Sequence, residues 1–175
     1  MTAEILRDAT PADREPIERL VEAAYGGYVE LIGRRPAPMD ADYAALIAAG
    51  LVTVAERDGT VAGVLVLEPM PGHLLVENVA VDPAAQGTGL GRRLMAHAEA
   101  EARALGLPEL RLYTNELMTA NVAWYPRLGY RETERRAESG FSRVFFAKRR
   151  PVRPFRWLPQ RQQSSDGDVH HSDGG

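Results

Sequence analysis

Apolar and polar residues alternate along residues 51–81, and this pattern predicts three consecutive strands. The stretches LVTVAER, TVAGVLVLE and LLVENVAV are separated by the turn sequences DG and MPGH. A period of two places successive side chains on opposite faces of a sheet, and a two-residue turn such as DG joins antiparallel strands. We therefore expect an antiparallel three-stranded unit in the middle of the chain.

Apolar residues at helical spacing predict two well-defined helices. In residues 90–105 they recur every three to four positions, and Gly106, a typical helix end, follows the last of them. The first helix has Thr10 as N-cap, Pro11 at the first helical position and Asp13 at the capping-box position. A Gly-Gly pair closes or kinks that helix.

The other segments complete a mixed α/β arrangement. We predict strands at 4–7, in ELRLYT, near 130–136 and at 141–148, a short helix capped by Asp40 or Asp42, and a helix over 119–128. This order gives about seven mostly antiparallel strands flanked by about four helices.

Composition favours a soluble cytoplasmic protein without membrane association. Hydrophobic residues make up 45% of the chain and charged residues 26%, and the apolar runs are too short to span a bilayer. The N-terminus has no positively charged leader before an apolar stretch. The absence of cysteine excludes disulfides and thiolate metal ligands, and we expect no metal site.

Charge is distributed unevenly along the chain. Residues 148–161 hold six basic and no acidic side chains, whereas residues 1–147 hold 15 basic and 21 acidic ones. The folded part therefore has no general nucleic-acid footprint. We expect one domain over residues 1–148 and a disordered tail, basic and then polar, over 149–175. Nucleic-acid binding through this tail is an alternative that would depend strongly on salt.

A glycine-rich loop before the long helix has the character of an anion site. In Gln86-Gly87-Thr88-Gly89-Leu90-Gly91, glycines leave the main chain bare where a helix begins. Free N–H groups and the helix dipole at such an end bind phosphates. The loop lacks the GK[ST] ending of a P-loop, and its G-x-G-x-G spacing differs from that of dinucleotide folds.

Two motifs resemble those of the GNAT superfamily of acyl-CoA-dependent N-acetyltransferases. "VENVAVDPAAQGTGLGRRLM" is similar to the family's Q/R-x-x-G-x-G/A motif through Gln86, Gly89 and Gly91. "NVAWYPRLGY" resembles the family's later motif, and the two occur in the family's order. The resemblance covers about residues 3–148. It implies a GNAT-like fold, with acetyl-CoA as cosubstrate.

The resemblance also implies which residues hold the coenzyme. The main-chain amides of the loop would bind its pyrophosphate: Gln86, Gly87, Thr88, Gly89, Leu90, Gly91 and Arg92. The side chains of Arg92 and Arg93 would add positive charge. The strand containing Val79, Ala80 and Val81 would pair with the pantetheine arm through its edge. Asn121 would contact the cofactor, although it also fits a helix N-cap or first-turn residue.

Two side chains are candidates for the chemistry. The resemblance places Tyr125 near the sulfur, where its phenol would supply a proton to the departing thiolate; the alternative is a half-buried structural aromatic. Glu77 interrupts an apolar strand, and strict alternation puts it on the face of Val79 and Val81 with Asn78 opposite. We expect Glu77 to be the base that deprotonates the amine, or else a salt-bridged carboxylate.

The acceptor is expected near a Pro-rich loop. Aromatic and charged residues cluster in and around it: Tyr25, Tyr28, Arg34, Arg35, Met39, Asp40 and Tyr43. The resulting hypothesis is an N-acetyltransferase acting on a primary amine of a small molecule by direct attack in a ternary complex. A peptide or protein amine is the next choice, and a non-catalytic acyl-CoA sensor is a different class. A homodimer is left open.

Overall fold

The computed structural model describes residues 3–151, and the predicted tail from residue 152 onward lies outside them. Seven strands and five α-helices occur in this part of the chain. In chain order they are β1 Glu4–Asp8, α1 Arg14–Tyr25, α2 Tyr28–Ile32, α3 Tyr43–Ala48, β2 Val52–Arg57, β3 Thr60–Met70, β4 His73–Val81, α4 Leu90–Ala104, β5 Glu109–Asn115, α5 Thr119–Arg127, β6 Arg131–Glu138 and β7 Phe141–Arg149.

One mixed sheet contains all seven strands, in the order β1-β2-β3-β4-β5-β7-β6. Neighbouring strands are antiparallel except β4 and β5, which run parallel. The predicted mixed α/β fold is thus confirmed. The β4–β5 pairing covers only Leu74–Val76 against Leu110–Leu112, although both strands continue further. Beyond Val76 the edge of β4 that faces β5 is therefore open.

Two apolar cores cover the two faces of the sheet. One contains the buried side of α4 together with side chains of β5, β7 and α5, such as Leu94, Leu112 and Phe146. The other contains α1 and α3 packed on β2 and β3, with Ile17, Tyr43 and Val64 among its members. The open edge of β4 lies where these two layers meet.

The predicted capping box forms, but it caps a short 3₁₀ turn, Pro11–Asp13, and α1 begins after that turn, at Arg14. The Thr10 N–H donates to Asp13 Oδ2 at 2.7 Å, as expected for the capping box, and Asp42 caps α3 by accepting from the Ala45 N–H at 3.0 Å. Arg7 also donates to both carboxylate oxygens of Asp13. These hydrogen bonds, chiefly those of Arg7, lower the pKa of Asp13 to about 2.

Within residues 3–151, no helix is both long enough and apolar enough to cross a membrane.

Candidate active site

Two adjoining cavities open beside the unpaired edge of β4. The first, the groove, runs along the glycine-rich loop and the first turn of α4 and reaches α5. The second, the inner cavity, lies between the Pro-rich loop, β4 and the ends of β5 and β7. Four residues line both: Tyr25, Val79, Asn121 and Tyr125. A molecule extending along the groove would thus end where the inner cavity begins.

The glycine-rich loop presents a row of free main-chain donors. Gly87 and Gly89 have φ values of +77° and +87°, which favour glycine and turn the chain so that successive amides face outward. Among the described residues, the N–H groups from Gly87 to Arg92 bond no protein acceptor. Gln86 differs from the expectation, because its N–H is bonded to the Pro83 carbonyl at 3.4 Å. The remaining donors stand at the N-terminus of α4, where an anion is stabilised.

The two arginines of the first turn have different surroundings. Arg92 lines the groove. Arg93 instead forms an ion pair with Glu4 of β1, and Glu4 also binds Arg57. Arg57 in turn donates to the Thr88 hydroxyl at 3.2 Å. The position of Arg93 in the first turn is therefore explained without a bound anion. Its charge is paired with Glu4 and is not directed into the groove.

Gly91 has a packing role. A Cβ at this position would come within 3.3 Å of the Trp124 ring, so glycine lets α4 approach α5 closely. Trp124 also contacts the neighbouring ring of Tyr125, with ring centroids 5.2 Å apart. This close approach fixes the far wall of the groove.

The open edge of β4 is bounded by main-chain groups of Val79 and Val81. The Val79 carbonyl accepts from the Tyr25 hydroxyl at 3.2 Å, and the Val81 carbonyl accepts from the Gln86 amide at 3.2 Å. The main-chain groups of Ala80 and Asp82, the alternate residues, face β3 instead. This is seen from the Asp82 N–H, which donates to the Ala62 carbonyl. In an extended strand the N–H and C=O of one residue point to the same side, so the Val79 N–H also faces the open edge.

Glu77 does not lie where strict alternation puts it. The β3–β4 register shifts so that Val66 pairs with Asn78 and Leu67 with Val76, leaving Glu77 as a bulge residue. A bulge inserts one residue and changes which face the following side chains occupy. Val76 and Val79 both contact the α4 core, whereas Glu77 contacts Tyr113. The expectation that Glu77 shares a face with Val79 and Val81 was therefore wrong.

Glu77 instead faces the inner cavity together with residues that the sequence did not single out. Glu77 accepts a hydrogen bond from the Tyr113 hydroxyl at 3.0 Å, and the Arg143 guanidinium lies 4.3 Å from the Tyr113 ring centroid. Burial, chiefly, and the nearby Glu77 charge raise the pKa of Tyr113 to about 12. Tyr113 is therefore a neutral donor to Glu77.

A chain of hydrogen bonds fixes the wall formed by Asn78. This buried amide accepts from the Tyr25 hydroxyl at 2.6 Å and donates to the Tyr43 hydroxyl at 3.2 Å. Tyr43 donates to the carbonyl of Pro38 at 2.6 Å. Burial raises the pKa of Tyr25 and of Tyr43, so both phenols remain protonated. These hydrogen bonds join β4 to α1 through Tyr25 and to the Pro-rich loop through Tyr43 of α3.

The predicted acceptor-binding cluster is only partly brought together. Tyr25 and Tyr43 line the inner cavity, and Tyr28 lines the groove. Arg34 lies over the ring of Phe141, whereas Arg35 is bonded to Glu22 and Asp40 on the surface. Met39 packs against the α1 core. The tyrosines are thus the members of this cluster that reach the cavities.

Tyr125 and Asn121 come from α5, whose first turn contains Asn121. The Asn121 amide donates to the Thr114 hydroxyl at 3.4 Å. Tyr125 is 5% exposed, and burial raises its pKa above the ordinary value. The Tyr125 hydroxyl has no hydrogen-bond partner among the described residues. Unlike the Tyr130 hydroxyl, which is fully buried, it remains accessible. It is a protonated phenol that opens onto the meeting point of the two cavities.

Comparison with known proteins agrees with this arrangement. The model of the Acetyltransferase (GNAT) family matches residues 16–130. A solved structure, the PaiA N-acetyltransferase of Thermoplasma acidophilum in complex with coenzyme A, superposes with a TM-score of 0.73 at 15% identity, covering 85% of this chain and 99% of that one. This likeness concerns the fold.

Two curated relatives share parts of the sequence. The IAA acetyltransferase of Azospirillum brasilense is 38% identical over 79 residues, which are 44% of this chain and 52% of that protein. The amino-acid acetyltransferase of Ralstonia nicotianae is 34% identical over 129 residues, which are 73% of this chain and 26% of the relative. The chain therefore spans about half or less of the length of these relatives.

Proposed function

Because this chain belongs to the Acetyltransferase (GNAT) family, we propose that it transfers an acetyl group from acetyl-CoA to a primary amine of a small molecule. The observation that carries the proposal is the junction of two cavities at Tyr125. One cavity offers free main-chain donors for a diphosphate, and the other is enclosed by tyrosines and a carboxylate. Cosubstrate and acceptor would enter from opposite sides and meet there in a ternary complex.

The residues of the groove fit coenzyme A. The amides of Gly87 to Arg92 would hold its diphosphate, and the Arg92 side chain would add charge. The edge groups of Val79 and Val81 would pair with the amides of the pantetheine arm, as an added strand does. The Gln86 amide now bonds the Val81 carbonyl and would move aside when the arm binds. The Tyr25 hydroxyl shares its one hydrogen between Asn78 at 2.6 Å and the Val79 carbonyl at 3.2 Å, so Tyr25 would keep its bond to Asn78 and release the carbonyl.

The chemistry forms a C–N bond and breaks the C–S bond. A free alkylamine has a pKa near 10.4 and is mostly protonated at neutral pH. The Glu77 carboxylate would accept the proton that the amine must lose, while Tyr113 holds it in place. The Val79 N–H would donate to the carbonyl oxygen as charge develops there. Tyr125 would donate a proton to the departing thiolate, because its protonated phenol opens where the two cavities meet.

The test is an assay of thiol release over a broad amine panel, with Tyr125→Phe as the variant. We expect kcat to fall about 100-fold or more, as is typical for loss of a general acid, and the Kd of coenzyme A to change little. Tyr130→Phe is the matched control: its hydroxyl is enclosed, has no partner among the described residues and lines neither cavity. This control should keep its kcat.

Two outcomes would contradict the proposal. If Tyr125→Phe keeps the wild-type kcat, Tyr125 is not the acid. If calorimetry shows tight binding of coenzyme A and no amine is acetylated, the protein is an acyl-CoA sensor.

A further inference from the structure

The inner cavity contains one acidic and one basic side chain. Among the described residues that line it, these are Glu77 and Arg143. They form no ion pair with each other, although both contact Tyr113. Because they are not joined to each other, each keeps hydrogen-bonding capacity that a ligand in the cavity could use.

Within residues 3–151, Arg143 is held by ring contacts and by one ion pair, with Glu138. Its side chain is 11% exposed, and its guanidinium lies over Tyr113 at 4.3 Å and near Phe141 at 5.5 Å. Stacking on an aromatic ring leaves the N–H groups at the edge of the guanidinium available. A group with five donors is therefore presented to the cavity wall.

The one acidic partner of Arg143 in the described residues is at the rim. Glu138 approaches its Nη1 at 3.3 Å, but this carboxylate is 42% exposed and also lies 3.6 Å from Arg136. Solvent at the Glu138 carboxylate screens this ion pair and weakens it. A carboxylate inside the cavity would reach the same guanidinium in a drier setting, where a charge-assisted pair is stronger.

We propose that Arg143 binds a carboxylate of the acceptor, so that the substrate is an amino acid or another small amine that carries a carboxylate. This rests on the proposed function. The acceptor lies with its amine toward Glu77 and Val79 and its carboxylate toward Arg143, and the Tyr113 ring lies along it between the two. Arg143 thus determines specificity and touches no reacting bond.

The first experiment uses the wild-type protein and matched acceptors. Each amino acid is compared with its methyl ester and with the amine that lacks the carboxylate. We expect kcat/KM to be about 10- to 150-fold higher for the acid, the range for one charge-assisted hydrogen bond. The ester has the less basic amine, so a preference for the acid over the ester cannot arise from a larger share of neutral amine. The amine without the carboxylate is the most basic of the three, so its rate is corrected for its smaller neutral share.

Three variants separate recognition from structure. Arg143→Gln should remove the preference, because kcat/KM should fall far more for the acid than for the ester, with a higher KM for the acid. Arg149→Gln, on the same strand but with an 80% exposed side chain, should keep the preference. Glu138→Gln should keep it too, whereas it would reproduce the Arg143→Gln defect if Arg143 served only to hold Glu138.

The outcomes distinguish this inference from the proposed function. Acetylation of esters and plain amines as fast as of the acids in the wild type would overturn the role of Arg143 and leave the transferase intact. Coenzyme A binding without acetylation of any amine would overturn the transferase, and the role of Arg143 with it. The first experiment uses only the wild-type protein. The preference for a carboxylate can therefore be measured even if Arg143→Gln does not fold.

Discussion

The most specific prediction about the groove concerns Gly89. A Cβ built at Gly89 meets no protein atom within 4 Å, and Gly89 lines the groove. In Gly89→Ala the new methyl group would therefore stand in the space that we assign to the diphosphate. The change should weaken the binding of coenzyme A and leave the packing of the protein intact.

The magnitude has two separate parts. With a φ of +87°, alanine costs roughly 1–2 kcal/mol of folding free energy, because its Cβ crowds the main chain. Displacing the diphosphate from one amide costs a further ~1.5–3 kcal/mol of binding free energy, the range for a hydrogen bond to a charged group. That second part corresponds to about a 10- to 150-fold rise in the Kd of coenzyme A.

Gly72→Ala controls for the backbone strain. Gly72 lies in the β3–β4 turn with a φ of +81°, and its Cβ also meets no protein atom within 4 Å. Both variants should lose similar stability in urea denaturation, whereas calorimetry should show a raised Kd for Gly89→Ala alone. Wild-type affinity in a folded Gly89→Ala would refute the placement of the diphosphate.

Two further predictions concern the base and the capping box. Glu77→Gln should lower kcat/KM about 100-fold at pH 7 and recover as rising pH deprotonates the amine; equal defects at every pH would exclude Glu77 as the base. Asp13→Asn should cost about 2 kcal/mol of unfolding free energy at pH 7, because Arg7 lowers the pKa of the Asp13 carboxyl from 3.8 to about 2. This stabilisation is present above pH 4 and is lost as the pH falls through 2. If urea denaturation shows the same loss of unfolding free energy in Asp13→Asn at pH 2 as at pH 7, this explanation is contradicted.

Local patterns predicted the elements and the loop because each depends on neighbouring residues. Alternation in residues 51–81 corresponds to β2, β3 and β4, and the capping signal at Thr10 and Asp13 is confirmed. The bare amides follow from the two glycines with positive φ. Such features are set within a few positions of the chain, where propensity and turn chemistry act.

Features that depend on partners distant in sequence were not predictable in this way. The bulge at Glu77 follows from how β3 pairs with β4, and a single-strand pattern does not contain that register. Tyr113 contacts Glu77, and Arg143 contacts Tyr113, only because β5 lies beside both β4 and β7. Tyr113 and Arg143 each lie in a strand with an ordinary alternating pattern, so the sequence around them gives no sign of a functional role. Arg93 was misjudged for the same reason, since Glu4 is 89 residues away.

The central claim is that the free amides ahead of α4 hold a diphosphate and thereby direct a thioester to Tyr125. A crystal structure with coenzyme A tests it most directly. We predict diphosphate oxygens within hydrogen-bond distance of the N–H groups between Gly87 and Arg92, and the sulfur beside the Tyr125 hydroxyl. Coenzyme bound elsewhere, or a diphosphate that leaves those amides unbonded, would contradict the account.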